Sequence, residues 1–457
     1  MTSVSTVESG DPKSRISVAH VALLLPWITA VVAARLSIRD NSFLWHVTAG
    51  KLQIADGSVL TTDPFSFTHE GEAWRTQSWL LELGYGLFDD RVGLAFVTPF
   101  LAVIATLLFV FVLLSTYRQT KSLPATVIVG VLTAWLSAAF LSPRPVLVSF
   151  LLLAIVVAAA TDQRLRWVLP LIAFLWASVH GSFILGIGYV VLVGLCRKDR
   201  HRLNDAAVMS ATSTFTAHGW GVWQVLIEFG RNRDSLDLIT EWATPDLTKV
   251  ALIPFLVGTI LLIIAGIRGH LVMRHLWIVV PFLVFAATAT RAVFPAWIAL
   301  APFAGRAMAS LGVSTSRSGR RETRVLTAIA AVLVIFPLVL PVDGGSELSE
   351  DFPAHASEVL TAERVFHDDY AGGYLIYRYG TDRPVFIDDR AELYGADHLR
   401  SMIQARNGFP GWQELFDEWA IEQALIRPDN GIAVVLKDEG WVTDYEDEEY
   451  LVLSKPA

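Results

Sequence analysis

The stretch DNSFLWHVTAGKLQIADGSVLTTDPFSFTHEGEAWRTQSWL, Asp40 to Leu80, is the most patterned polar segment between apolar runs in this chain. Phe43, Leu44, Val47, Leu52 and Ile54 are apolar, while His46, Lys51 and Gln53 are polar. That spacing predicts a short amphipathic helix from about Ser42 to Ala55, lying along a membrane surface. Asp40 precedes or caps it, and an N-cap contributes about 1 kcal/mol. Gly57 suits the C-cap, and Asp63-Pro64 opens a turn. Phe65-Ser66-Phe67-Thr68 alternates like a strand, and Gly71, Trp74 and Trp79 follow.

The rest of the chain explains why a surface helix is expected. Of 457 residues, 53% are hydrophobic and 18% charged, against roughly a quarter charged in soluble proteins. Residues 347–457 hold 24 acidic and 9 basic side chains, while the remainder holds 20 acidic and 27 basic. A basic apolar body therefore carries an acidic, water-soluble tail. This pattern excludes a nucleic-acid binder and a simple soluble enzyme. The lone Cys196 excludes an internal disulfide framework and a thiolate metal cluster.

The sequence reads as an all-α polytopic membrane domain with a C-terminal soluble α/β domain. Residues 1–16 are expected to be disordered, 17–345 to form the membrane domain with a first outer loop at 37–91, and 346–457 to form the extracytoplasmic domain. Apolar runs near 17–34, 92–116, 123–141, 146–160, 167–179, 182–196, 204–217, 249–267, 276–290, 293–311 and 325–341 give about eleven crossings of a core roughly 30 Å thick. The run at 17–34 lacks a small-residue cleavage site and reads as a retained helix. With the N-terminus inside, the basic loops Arg118–Lys121, Asp162–Arg166, Arg197–Arg202, Arg268–His275 and Arg317–Arg324 all fall on the cytoplasmic side. The run 167–196 is then two half-length helices broken at His180-Gly181, and Gly219–Gly230 is interfacial or re-entrant.

This topology collects the unusual polar residues on the outer face. Asp40, His46 and Asp63 lie in the first outer loop, Arg144 in Ser142-Pro143-Arg144-Pro145, and His180 in a tight turn. His218, Glu241 and Trp242 lie in a later outer segment, and Arg291 at a helix end. Ionisable groups at membrane depth are costly and usually face a polar cavity. Any single arginine here also fits snorkelling to head groups. Together they suggest a site for an anionic, lipid-borne substrate.

The order of features in the first loop resembles that of the GT-C glycosyltransferases, which include protein O-mannosyltransferases, oligosaccharyltransferases and the aminoarabinose transferase of lipid A. The stretch Asp40…Trp45-His46…Gly50…Gly57…Thr62-Asp63-Pro64-Phe65-Ser66-Phe67-Thr68…Gly71…Trp74…Trp79-Leu80 is more closely similar to a bacterial membrane group described as GT-C-like. So are Arg144-Pro145, Trp176-Ala177…His180-Gly181, Glu241-Trp242, Arg291, Gly372-Gly373-Tyr374 and Val385–Gly395. Two positions depart from the pattern: Asn41 stands where many members have a second acid, and Gln77-Ser78 where the close group often has His-Glu.

The resemblance implies a glycosyltransferase of the bacterial cytoplasmic membrane. Its donor is a polyprenyl-phosphate-linked sugar, its acceptor a glycan, lipid or protein, and transfer takes place on the outer face. Asp40 is then the base candidate and Asp63 the second, though an acid before proline also forms turns. Arg144 and Arg291, with His180, suit the leaving phosphate. His46 lies beside them, and Glu241 and Trp242 suit sugar binding. No metal-binding motif is present and no cofactor is expected, with a carboxylate-bound divalent cation left open. A non-catalytic envelope-glycan assembly factor and a flippase of lipid-linked saccharide are the competing readings; the flippase would call for internal repeat symmetry.

In the tail, strands are expected at Arg364–Phe366, Arg383–Ile387, Glu422–Ile426, Trp441–Tyr445 and Tyr450–Leu453. Helices are expected near Ala396–Arg406, Gln413–Ala420 and Ile432–Lys437, with Gly372-Gly373 at a segment end. Asp388-Asp389-Arg390 reads either as a carboxylate cluster facing the membrane site or as a salt-bridged turn.

Overall fold

The structure, a computed structural model, describes residues 37–231, 234, 237–313, 328 and 347–456. The expected disordered N-terminus, the crossings at 17–34 and 325–341 and the loop Arg317–Arg324 lie outside the described residues.

The first-loop helix is real and spans Asn41–Asp56 (α1), capped by the Asp40 side chain and ended by Gly57 at φ 65°. Its position differs from the expectation. Phe43, Leu44, Val47 and Ala49 are buried, but so are His46 and Gln53, so α1 does not lie on a surface. Its polar face is covered by Trp79–Val92 (α2), which supplies a buried carboxylate described below. Gly50 makes that contact possible: a Cβ there would sit 1.8 Å from the Glu82 carbonyl oxygen.

Helix α2 lay within the expected outer loop 37–91. It runs through a short 3-10 turn, Gly93–Phe96, into Val97–Thr120 (α3). The apolar stretch Trp79–Thr120 is one of three in the described residues long and apolar enough to cross a membrane, with Val250–Ile267 and Thr290–Ser310. Shorter apolar helices stand beside them, including Leu123–Ser137 (α4), Pro145–Ala160 (α5) and Phe183–Arg197 (α7). The 204–217 run is not an apolar crossing. It is Arg200–Thr212 (α8), which opens Arg200-His201-Arg202 and packs on α7 and on Leu169–Ala177 (α6). At about 1.5 Å per residue, thirteen residues fall well short of a bilayer core.

Helices α6 and α7 fold back on each other at His180-Gly181. Their far ends meet again, where Gln163 Nε2 donates to Asp199 at 2.9 Å and Arg166 Nη2 pairs with Asp205 at 2.6 Å. After Gly221–Arg231 (α9), Ile253–Ile267 (α10) and Leu276–Thr288 (α11) comes Val293–Ser310 (α12), the most buried long helix described. Trp297 on α12 donates its indole N–H to Thr133 on α4 at 2.8 Å.

The tail is a small α/β unit. Val365–Phe366 (β1), Gln423–Ile426 (β2), Val442–Glu446 (β3) and Leu451–Ser454 (β4) form a mixed sheet in the order β1-β2-β4-β3. The β1–β2 pair is parallel and the other two antiparallel. Helices Ala391–Arg406, Trp412–Glu418 and Gly431–Asp438 follow the expected ones.

Two tail expectations fail. The segment 383–387 is outside the sheet because its backbone pairs with the first loop: Val385 N donates to Phe65 O at 2.8 Å, and Phe67 N to Val385 O at 3.0 Å. Gly372-Gly373 sits inside a helix, Asp369–Tyr379, not at a segment end. There a Cβ on Gly373 would stand 2.4 Å from the Asn41 carbonyl oxygen, and one on Gly372 1.9 Å from that of Ile387. Gly373 lets this helix lie directly on the start of α1, and Gly372 lets it approach the backbone at Ile387.

Glycine at position 50 is therefore a packing requirement. Gly50→Ala is expected to cost about 1–3 kcal/mol by forcing α1 and α2 apart. Gly84→Ala, with open space around its Cβ, should stabilise by up to about 1 kcal/mol through helix entropy. Melting curves of the detergent-solubilised variants check this, and equal midpoints for the two would refute it.

Candidate functional site

The tail and the membrane body meet at an arginine. Arg390 is fully buried, with Nη1 2.7 Å from Asp63 Oδ1 on one side, and Nε and Nη2 on Asp388 at 2.8 and 2.6 Å on the other. Its guanidinium stacks 4.6 Å from the Trp74 ring, with Trp45 and Phe65 also close. Tyr394 donates to Asp388 at 2.8 Å. Asp63 also accepts from the Phe65 and Ser66 N–H groups and the Ser66 hydroxyl. Asp63, the second base candidate, thus has both oxygens occupied and holds a turn and an ion pair.

A second buried carboxylate, Glu82 of α2, organises α1. His46 Nδ1 lies 2.8 Å from Glu82 Oε1, Thr76 donates to the same oxygen at 2.5 Å, and Gln53 donates to Oε2 at 2.7 Å. His218 Nε2 reaches the Thr76 carbonyl at 2.6 Å. Glu82 was not singled out in the sequence; its only local signal is an acid in the first turn of a helix after Trp79.

Above these networks opens a cavity of about 790 Å³. The structure brings His46, Arg144, His180, Glu241, Trp242 and Arg291 into its lining, together with Trp45, Asp369, Asp389, Arg390 and Glu392. Asp40 and Asp63 are not among the lining residues. The elements that place these groups are helix ends: Arg144 precedes Pro145 at the start of α5, His180 sits in the α6–α7 turn, and Arg291 precedes α12.

Asp40 does three things from just outside the cavity. It caps α1 by accepting from Phe43 N at 3.2 Å, accepts Arg144 Nε at 2.8 and 2.7 Å, and accepts the Ser142 hydroxyl. Arg144 Nη1 reaches Glu241 at 3.5 Å. Arg291 lies 4.5 Å over the Trp242 ring, and no carboxylate pairs with it among the described residues. His180 Nδ1 accepts from the Ser182 N–H at 3.1 Å, which leaves Nε2 as the ring N–H.

Three carboxyls enter the cavity from the tail. Burial, followed by Asp368 and Asp389, pushes Asp369 up to about 6. Burial likewise raises Asp389 and Glu392 above the ordinary carboxylate range. Asp389 Oδ1 accepts the Trp45 indole N–H at 2.5 Å, and Trp74 Nε1 reaches Glu392 at 3.4 Å. In the Asp388-Asp389-Arg390 run, Asp388 and Arg390 make the salt-bridged turn, while Asp389 lines the cavity. Among the described residues no three His, Cys, Asp or Glu side chains gather as a metal site.

No protein-family model matches the chain, and no curated protein matches it in sequence. Solved structures do. The oligosaccharyltransferase of Archaeoglobus fulgidus in its apo form superposes with TM-score 0.56 at 12% identity, over 90% of this chain and 69% of that one. The fold is that of the GT-C glycosyltransferases. AglB of the same archaeon, in complex with an inhibitory peptide and a dolichol-phosphate, gives 0.55 at 12% identity, over 89% of this chain and 69% of its own. ArnT from Cupriavidus metallidurans, bound to undecaprenyl phosphate, gives 0.50 at 14%, over 96% and 99%. The cavity lies where the ends of the apolar helices meet the tail.

The Asp63–Arg390 pair should behave as a buried structural joint. Asp63→Ala removes one of the two carboxylates on a buried guanidinium and leaves the Phe65 and Ser66 N–H groups without their acceptor, which is expected to destabilise by about 2–4 kcal/mol. Thermal melting of the purified protein checks this; a wild-type midpoint would show the pair to be dispensable.

Proposed function

We propose that this protein is a glycosyltransferase of the bacterial cytoplasmic membrane. It moves a sugar from a polyprenyl-phosphate-linked donor to a glycan, lipid or protein acceptor on the outer face. One observation carries the reading: Arg144 and Arg291 line the same cavity at the ends of apolar helices, and Arg291 has no paired carboxylate among the described residues. A permanently charged planar fork at that depth suits a lipid phosphate. The fold neighbours support it, since two were solved with a dolichol-phosphate and an undecaprenyl phosphate.

The chemistry asks for two things. An acceptor oxygen must lose its proton as it attacks the anomeric carbon, and the departing lipid phosphate must be stabilised as its charge grows. Arg291 and Arg144 serve the second. Asp40 holds Arg144 through its Nε, so that the outer nitrogens of the guanidinium face Glu241 and the cavity. Trp242 holds the Arg291 guanidinium over its ring, and Glu241 offers an acceptor for sugar hydroxyls. His180, with its free Nε2–H, can add a donor to the phosphate.

Deletion of the gene should remove one envelope glycan and cause its lipid-linked donor to accumulate, both read by mass spectrometry. Complementation with Arg291→Ala should lower transfer by about 100-fold or more, the scale seen when a preorganised charge-stabilising donor is removed. A deletion that leaves every lipid-linked sugar at its normal level would sink the transferase reading and return the scaffold one.

A further inference from the structure

The carboxylate that the sequence offers as base, Asp40, is held by three donors: Phe43 N on Oδ1, the Ser142 hydroxyl on Oδ2, and the Arg144 Nε–H shared between both oxygens. It is bound into the α1 cap and the Arg144 ion pair, and it does not line the cavity.

Asp389 is in the opposite position. It lines the cavity, and its strong contact is one hydrogen bond, from Trp45 Nε1 to Oδ1 at 2.5 Å, with the Ser42 hydroxyl as a further donor. With two donors against roughly four lone-pair sites, the carboxylate keeps capacity for a further hydrogen bond. The carboxylate is held from both ends. Its backbone neighbours Asp388 and Arg390 are locked in the buried ion pair, and its own oxygen is fixed by the indole of α1.

Resting on the transferase reading above, we propose that Asp389, supplied by the tail, is the catalytic base, and that Asp40 is a positioning residue for Arg144. In the step, Asp389 takes the proton of the acceptor hydroxyl. The oxygen's electron pair forms the new bond to the anomeric carbon. The bond from that carbon to the phosphate oxygen breaks, and its electron pair leaves with the lipid phosphate toward Arg144 and Arg291. Asp389, Arg144 and Arg291 line the same cavity, so a base and the cations for the leaving phosphate are within reach of one bound donor.

The charges around Asp389 fit the role. Burial raises its pKa first, Asp388 and Asp40 add to that, and Arg144 opposes them. Asp369, Glu392 and Arg291 also feel its charge. A base raised from the ordinary carboxylate range is better matched to neutral pH.

The test uses full-length protein in two assays. Binding of undecaprenyl phosphate, read as a rise in melting temperature, reports the phosphate site. Restoration of the missing glycan in the deletion strain, with its lipid-linked donor measured alongside, reports turnover. D389N should bind undecaprenyl phosphate as wild type does and transfer at about 1% of the wild-type rate or less. D40N should lose affinity for undecaprenyl phosphate, because Arg144 is released, and D40E should regain part of it. Full restoration by D389N, with the deletion phenotype present, would overturn the base assignment and leave the transferase reading standing. Loss of undecaprenyl phosphate binding in D389N would make Asp389 a scaffold residue and overturn it as well. A deletion strain with no glycan change would remove the transferase reading itself.

Discussion

Everything in the site hangs on one desolvated guanidinium. Arg390 carries a positive charge into a space closed to solvent at its side chain, and it is tolerated only because carboxylates from two distant parts of the chain close on it and three aromatic rings enclose it. Such an arrangement gives little net stability compared with an apolar filling, since desolvation consumes most of the Coulombic gain. What it supplies is registry. Asp63 can meet Arg390 in only one orientation of the first loop against the tail. That orientation also pairs Phe65 and Phe67 with Val385 and sets Asp389 beside Trp45.

Much of the fold was visible in the chain itself. The helix after Asp40 shows in its apolar spacing, its cap and Gly57, and all four tail strands fall within a residue of their expected runs. What stayed hidden depends on pairing at a distance. His46 and Gln53 look like the wet face of a surface helix because their partner Glu82 stands 36 and 29 residues further on. The 383–387 segment has strand composition and does pair as a strand does, but with the first loop and not with its own sheet. Local pattern reports that a backbone is extended; it does not report what it pairs with.

The candidate site divides in the same way. Arg144, His180, Glu241, Trp242 and Arg291 could be grouped by expected sidedness alone, because each falls in a segment or helix end that the charge pattern assigns to one face, and the structure brings them around one cavity. The division of labour among the acids could not. Asp40, Asp63, Asp388 and Asp389 are all plausible turn or cap residues in sequence. Only the three-dimensional contacts distinguish the two held by arginines and backbone N–H groups, Asp40 and Asp63, from one that keeps capacity for a further hydrogen bond, Asp389.

The Gly373 contact with Asn41 has a consequence for how the molecule is made. The helix that covers α1 is synthesised some three hundred residues after it, so α1 must wait with its covering face open while the helices between are inserted. Contacts of such long sequence separation form late, once the cost of closing the loop has been met. Trp45 and Asp389, 344 residues apart, meet at the same stage. The cavity is therefore finished last, after the membrane body is in place, and a nascent chain stalled before the tail holds its cationic helix ends without the carboxylates that complete them.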